Sequence, residues 1–66
     1  MKNRIKVLRA EQNLTQEQLA KLAWTSRTTI AMIENGKTTP DGDTIASLVK
    51  ALKTPANLIF FELDVV

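Results

Sequence analysis

The 66-residue chain contains no cysteine and no histidine. Without cysteine there is no disulfide and no thiolate nucleophile, and without either residue there is no soft-ligand metal site. No apolar run approaches the ~20 residues that a membrane span requires. A basic start followed by an apolar stretch and a small-residue cleavage site, the mark of a signal peptide, is also missing. A cytoplasmic location is therefore expected. Internal repeats, low-complexity tracts and linkers are absent too, so residues 1–66 are read as a single domain. A domain this small lies near the lower limit at which one apolar core holds a chain folded. With disulfides and metals excluded, self-association is the remaining reinforcement.

What is present is ordinary in bulk and uneven in detail. Hydrophobic residues make up 44% of the chain and charged residues 24%, values of a globular domain rather than of a disordered tail. Nine basic side chains face seven acidic ones, and two of the acids, Glu62 and Asp64, fall in the last five residues. Nine basic against five acidic side chains then remain over residues 1–61, a bias that suits a polyanionic partner.

Apolar residues recur at three and four positions rather than alternating, which predicts five short helices. The first runs from Asn3 or Arg4 to Gln12 with Ile5 and Leu8 inward and Lys6 outward, and Asn13 is suited to the left-handed exit. The second opens at "TQEQ", where Thr15 and Gln18 have capping-box spacing, and buries Leu19, Ala20 and Ala23. Ser26 caps the third, which stops at "ENG" with Gly36 supplying the positive φ. Asp41 caps the fourth, with Ile45, Leu48, Val49 and Leu52 at helical spacing. Thr54-Pro55 opens the fifth, Pro55 standing at the first helical position. The closing "ELDVV" alternates Leu63 and Val65 with acids, as a short strand would, and could pair with the start of the chain or with another molecule's tail.

The segment "WTSRTTIAMIENG", residues 24–36, carries the chemistry. At 100° per residue, Ile30 and Ile33 share one side of the third helix, and Thr28, Ala31 and Met32 the other, with Arg27 at the flank. A solvated helix would carry Lys, Glu and Gln there. Hydroxyls, a methyl, a thioether and one guanidinium are instead the groups that read the major groove: Arg bonds guanine bidentately, Thr bonds base edges, and Ala, Met or the Thr methyl touches a thymine methyl. The hydroxyl-capped amino ends of the second and third helices offer amides to phosphates. Only Ala23, Trp24 and Thr25 separate these two helices, the short link of a helix-turn-helix, although any helical hairpin can have such a link. No catalytic constellation is visible. Ser26, Thr28 and Thr29 have no histidine to act as base, and Asp41 with Asp43 is explained by helix capping.

The stretch "LTQEQLAKLAWTSRTTIAMIENGKTTP" resembles the helix-turn-helix signature of the phage Cro/repressor-like (XRE-type) DNA-binding domain, with similarity from Arg4 to about Phe60. The resemblance implies an all-α, compact five-helix lambda-repressor-like domain, its helix-turn-helix at about 16–34, that binds double-stranded operator DNA as a homodimer. It implies base contacts from Arg27, Thr28 and Met32, and backbone contacts from Gln16, Ser26, Thr29, Asn35 and Lys37. It also implies a pair between Arg9 and Glu34 that orders the scaffold. Competing structural roles are a helix start for Gln16, a helix stop for Asn35-Gly36 and a core position for Met32. Lys2, Lys6, Lys50 and Lys53 are read as solvated.

Three residues depart from the family pattern. Trp24 stands where glycine is usual, at a cost on the order of 1 kcal/mol or more. The expectation is that its indole recovers this by packing over volume left by Ala23 and Thr25; the other arrangement is an exposed indole beside the DNA backbone. Gly42 replaces a leucine early in the fourth helix, which would remove apolar burial worth ~1.5 to 3 kcal/mol. Lys53 replaces the glycine that usually ends that helix. The apolar "LIFFELDVV", and within it Leu58, Ile59, Phe60, Phe61 and Leu63, is the expected dimer surface, in a dimerisation region of about 55–66. A two-fold pair would set the recognition helices ~34 Å apart. With no sensor domain in the 66 residues, regulation by occupancy is expected, as a repressor, with no cofactor, small-molecule ligand or membrane. The alternative is a protein-interaction module or antitoxin for which DNA is secondary.

Overall fold

Local hydrogen bonds set where each helix begins. In the computed structural model, which describes residues 2–61, the elements run β1 (Lys2–Asn3), α1 (Ile5–Glu11), α2 (Gln16–Leu22), α3 (Arg27–Glu34), α4 (Gly42–Leu52), α5 (Ala56–Ile59) and β2 (Phe60–Phe61). Thr15 Oγ1 accepts the N–H of Gln18 at 3.0 Å while Gln18 Oε1 accepts that of Thr15 at 2.9 Å, a complete capping box. Ser26 caps α3 through the N–H of Thr29 at 3.1 Å, and Asp41 caps α4 through that of Thr44 at 2.8 Å. α1 has no such cap at Arg4; Asn3 Oδ1 instead accepts the N–H of Ile5 at 3.1 Å. Pro55 is one position earlier than expected, the cap of α5 with extended backbone rather than its first turn.

The exits are more uniform than the entrances. Four helices leave through one left-handed residue each: Asn13 after α1, Trp24 after α2, Gly36 after α3 and Lys53 after α4, with φ of 58°, 58°, 71° and 53°. Behind three of them the same pair of backbone bonds closes the last turn. Asn13 and Leu14 donate to Ala10 and Arg9, Trp24 and Thr25 to Lys21 and Ala20, and Gly36 and Lys37 to Ile33 and Met32. This is the Schellman arrangement, for which glycine is the usual residue because it has no Cβ to crowd the carbonyl. The chain thus asks asparagine, tryptophan and lysine to hold a conformation that costs an L-residue roughly 1–2 kcal/mol.

The core lies between the helices. Ile5 and Leu8 of α1, Leu19, Ala20 and Ala23 at α2, Ile30 and Ile33 of α3, Leu48 and Leu52 of α4 and Ile59 of α5 are buried together, with Leu14, Val49, Ala51 and Phe60 packed against them. α2 packs chiefly on α3 and on α4, and α5 closes on α4. The inward sets expected of α1, α2 and α3 are those found, while in α4 Leu48 and Leu52 take the deep positions and Ile45 and Val49 are half-buried.

The two ends of the described chain meet. β1 and β2 pair antiparallel with Lys2 opposite Phe61 and Asn3 opposite Phe60, and the N–H of Arg4 reaches Ile59 O at 2.8 Å. The strand therefore forms one step before "ELDVV", whose residues 62–66 lie outside the described part, and its partner is the start of the chain. Asn3 Nδ2 also donates to Ile33 O at 2.8 Å, so this short ribbon is fastened to the carboxyl end of α3.

The expected packing of Trp24 is corrected: the indole is not packed at the turn but 92% exposed, and Ala23 is buried without its help. Gly42 is exposed, and a Cβ added there would meet nothing within 4 Å. Lys53 does hold the left-handed position where glycine is usual.

An exposed indole on a left-handed backbone gives a direct test. Trp24→Gly relieves the crowding and removes no packing, and the relief exceeds the extra freedom glycine gives the unfolded chain. The variant is expected to be more stable by about 1 kcal/mol, seen as a rise of about 4–8 °C in thermal midpoint by circular dichroism. A second test concerns pH. The backbone N–H of Thr44, and then its side chain, hold the Asp41 carboxyl below its ordinary 3.8. A depressed folded value means that the ionised cap contributes fully above the unfolded value and that its contribution fades as pH falls through the folded one. Asp41→Asn keeps an acceptor that does not titrate, so the stability difference between parent and variant should shrink on acidification below about pH 4, measured by urea denaturation.

Candidate nucleic-acid interface

The rotation of α3 decides what the site can be. Ile30 and Ile33 are 0% and 1% exposed, whereas Thr28 is exposed, Met32 is 42% exposed and Ala31 is half-buried. The uncharged face therefore looks outward. Met32 is not a core residue. Arg27, the first residue of α3, is exposed and forms no ion pair with any described residue.

A part-buried polar cluster holds α3 from behind. Arg9 Nε donates to Glu34 Oε2 at 2.7 Å, with the two side chains 16% and 5% exposed. The other carboxylate oxygen of Glu34 accepts from Arg9 Nη2 at 3.4 Å and from Gln16 Nε2 at 3.0 Å, and Arg9 Nη1 donates onward to Leu14 O at 2.9 Å. One carboxylate at the end of α3 thus gathers a guanidinium from α1 and an amide from the first residue of α2. The expected scaffold pair is present, and Gln16 is part of it. Its amide carries a second N–H, because a primary amide has two, so the bond to Glu34 aims the side chain without consuming it.

Two of the candidate contact residues, Gln16 and Arg27, border one hollow. A shallow hollow of about 500 Å³ is lined by Arg9, Leu14, Thr15, Gln16, Glu17 and Arg27. The amino end of α2 and the first side chain of α3 therefore border the same concavity. Ser26 Oγ and Thr29 Oγ1 lie 2.9 Å apart, and Ser26 Oγ also accepts the Thr29 N–H. Two hydroxyls share one hydrogen between them, which leaves one O–H to point outward whichever of them donates. At the far end of α3, Asn35 and Lys37 are exposed on either side of Gly36.

A second, smaller hollow of about 240 Å³ is lined by Lys2, Asn3, Glu34, Asn35, Gly36 and Phe61. It brings Lys2, read from sequence as solvated, beside Asn35. Thirty-three positions of chain separate these residues, and the bond from Asn3 to Ile33 O draws β1 to the end of α3, so nothing local signals it. Lys6, Lys50 and Lys53 are exposed, as expected.

The expected dimer residues divide. Leu58 is 51% and Phe61 40% exposed, Phe60 is half-buried against the core, and Ile59 is 0% exposed. Ile59 is thus a core residue and is withdrawn from the candidate surface, because the short α5 turns one side chain in four fully inward. Leu63 lies outside the described residues.

With this geometry established, comparison with known proteins is decisive. A helix-turn-helix family model matches residues 5–59, most of the chain. The chain belongs to the helix-turn-helix family, of the Cro/repressor-like (XRE) type. It is similar to an uncharacterised helix-turn-helix-type transcriptional regulator of Methanocaldococcus jannaschii, 58% identical over 40 residues that cover 61% of either chain. The match thus spans about three fifths of that regulator's length. Among solved structures, the restriction-modification controller protein C.AhdI of Aeromonas hydrophila superposes with a TM-score of 0.81 at 30% identity, covering 86% of both chains. The P22 c2 repressor, solved on a synthetic operator, superposes with a TM-score of 0.79 at 30% identity, covering 82% of both chains. The five-helix lambda-repressor-like architecture expected from the sequence is the one observed, with a two-stranded ribbon added. Among the described residues, no helix is long and apolar enough to cross a membrane.

The Glu34 cluster makes a clear prediction. Arg9→Met leaves a nearly buried carboxylate with Gln16 as its remaining partner, and removing one member of a buried pair costs about 3–5 kcal/mol. Because Arg9 is itself 16% exposed, the loss should fall near the low end. Chemical denaturation measures it, and amide exchange at α3 should accelerate more than at α4.

Proposed function

We propose that the chain is a sequence-specific DNA-binding transcription regulator, a repressor, that sets α3 in the major groove of a two-fold symmetric operator as a homodimer. The observation that carries the reading is the outward face of α3: Arg27, Thr28 and Met32 exposed above a buried Ile30 and Ile33. Arg27 suits guanine O6 and N7, Thr28 a base edge, and Met32 a thymine methyl. Gln16, Ser26, Thr29, Asn35 and Lys37 border that face and would hold phosphates, fixing the register without reading sequence. The P22 c2 repressor solved on operator DNA, and family membership, support the same reading. The family is one of transcription regulators, not enzymes, and a cytoplasmic location goes with that role.

Among the described residues, Leu58 and Phe61 are the exposed apolar side chains at the carboxyl end that a second copy could cover. A symmetric pair joined there would present two recognition helices to successive turns of the groove, ~34 Å apart.

Selection of bound sites from random duplex DNA tests the whole reading, and a motif with two-fold symmetry is the expected product. On that motif Arg27→Ala should lose about 1–3 kcal/mol and relax preference at one base position. Lys37→Ala should instead weaken the selected and a scrambled duplex alike and reduce the salt slope by about 1. Failure to enrich any motif at moderate salt would leave a protein-interaction module as the better description, and a monomer at micromolar concentration would remove the dimer.

A further inference from the structure

We propose that Trp24 is itself a DNA contact, its indole lying against a deoxyribose and phosphate at the rim of the groove that receives the amino end of α3. This rests on the DNA-binding reading above and adds to it a residue that stands in the turn rather than on the recognition helix.

Folding does not account for this side chain. The indole is 92% exposed, and its backbone occupies the left-handed region at φ 58°, in the position of a Schellman turn that glycine fills best. Within the described chain the tryptophan therefore costs stability and packs on nothing that would return it. An exposed indole of this size calls for an occupant from outside.

Its place and surroundings indicate which occupant. Trp24 precedes the Ser26 cap by two residues, and two trans peptide steps of 3.8 Å put its Cα within about 7.6 Å of the cap's. It belongs to the Arg27 end of α3, the end that a helix-turn-helix directs at base edges, and not to the Glu34 end. Lys21 and Arg27 stand three positions to either side of Trp24 and no carboxylate falls between Glu17 and Glu34, so the chain around the indole favours a polyanion over a basic protein surface. Chemically the fit is close: the flat apolar ring covers the face of a deoxyribose while the ring N–H donates to a phosphate oxygen. Such a contact reads no base, and so should strengthen binding to every sequence alike.

Trp24 is the single tryptophan of the chain, so its emission reports this site alone. Free protein should show the emission of a water-exposed indole, independent of protein concentration. Titration with the selected duplex should quench and blue-shift it, in step with the anisotropy of the same duplex carrying an end label. Trp24→Gly should bind selected and scrambled duplexes about tenfold more weakly, the low end of the scale for one hydrogen bond to a charged group, and Trp24→Phe should fall between. Because the glycine variant is expected to be the more stable protein, weaker binding would not reflect unfolding. Emission that stays unmoved while anisotropy saturates, or a glycine variant that binds both duplexes as tightly as the parent, would overturn the proposal. A blue shift that grows with protein concentration in the absence of DNA would assign the indole to a second copy and overturn it too. No anisotropy change with any duplex at low salt would defeat the DNA-binding reading first and this inference with it, a result distinct from saturable binding with silent emission.

Discussion

The carboxylate of Glu34 is where three helices are tied. It lies at the end of α3 with its side chain 5% exposed, and it takes Arg9 from α1 and Gln16 from α2. A charge so buried is tolerated only when paired and hydrogen-bonded, and the geometry that pairs it leaves α3 one rotation. With Ile30 and Ile33 held inward on the adjoining side, Arg27, Thr28 and Met32 have no direction left but outward. The lack of charge on that outer face is not explained by burial, since Thr28 and Met32 are exposed. The same cluster sets Gln16, at the start of α2, beside the hollow that Arg27 also lines. Scaffold and proposed contact surface thus share Gln16.

A different economy governs the helix ends. Entrances are satisfied by side chains reaching three residues ahead, and exits by a single left-handed residue closing backbone bonds behind it. Only one of the four exits, Gly36, uses the residue that does this without strain. Asn13 tolerates the conformation through its short polar side chain. Lys53 and Trp24 have no such excuse, and of these the tryptophan also exposes a large apolar ring. Strain thus sits at the turns, and apolar burial in the small core.

The carboxyl end shows how little of an apolar run is free surface. "LIFF" reads as uniform, but Ile59 fills the core, Phe60 leans on it, and only Leu58 and Phe61 keep substantial exposure. Antiparallel pairing with Lys2 and Asn3 produces the change of direction, and Asn3 passes it on to α3 through Ile33 O.

Sequence by itself determined the features that depend on neighbours within a turn of helix. The caps at Thr15, Ser26 and Asp41, the left-handed exits at Asn13 and Gly36, and the inward sets of α1, α2 and α3 were legible because each is fixed by side chains three or four positions apart. The Arg9–Glu34 pair came from family resemblance, since no local rule joins residues twenty-five positions apart. Tertiary structure alone decided the rest: that Trp24 faces solvent, that Gly42 has open space beside it, that Ile59 goes inward, and that the chain start pairs with Phe60 and Phe61. The physical reason is common to all four. Each depends on whether space beside a residue is already filled by distant parts of the chain, and that is set by how the helices pack rather than by any residue's own preference.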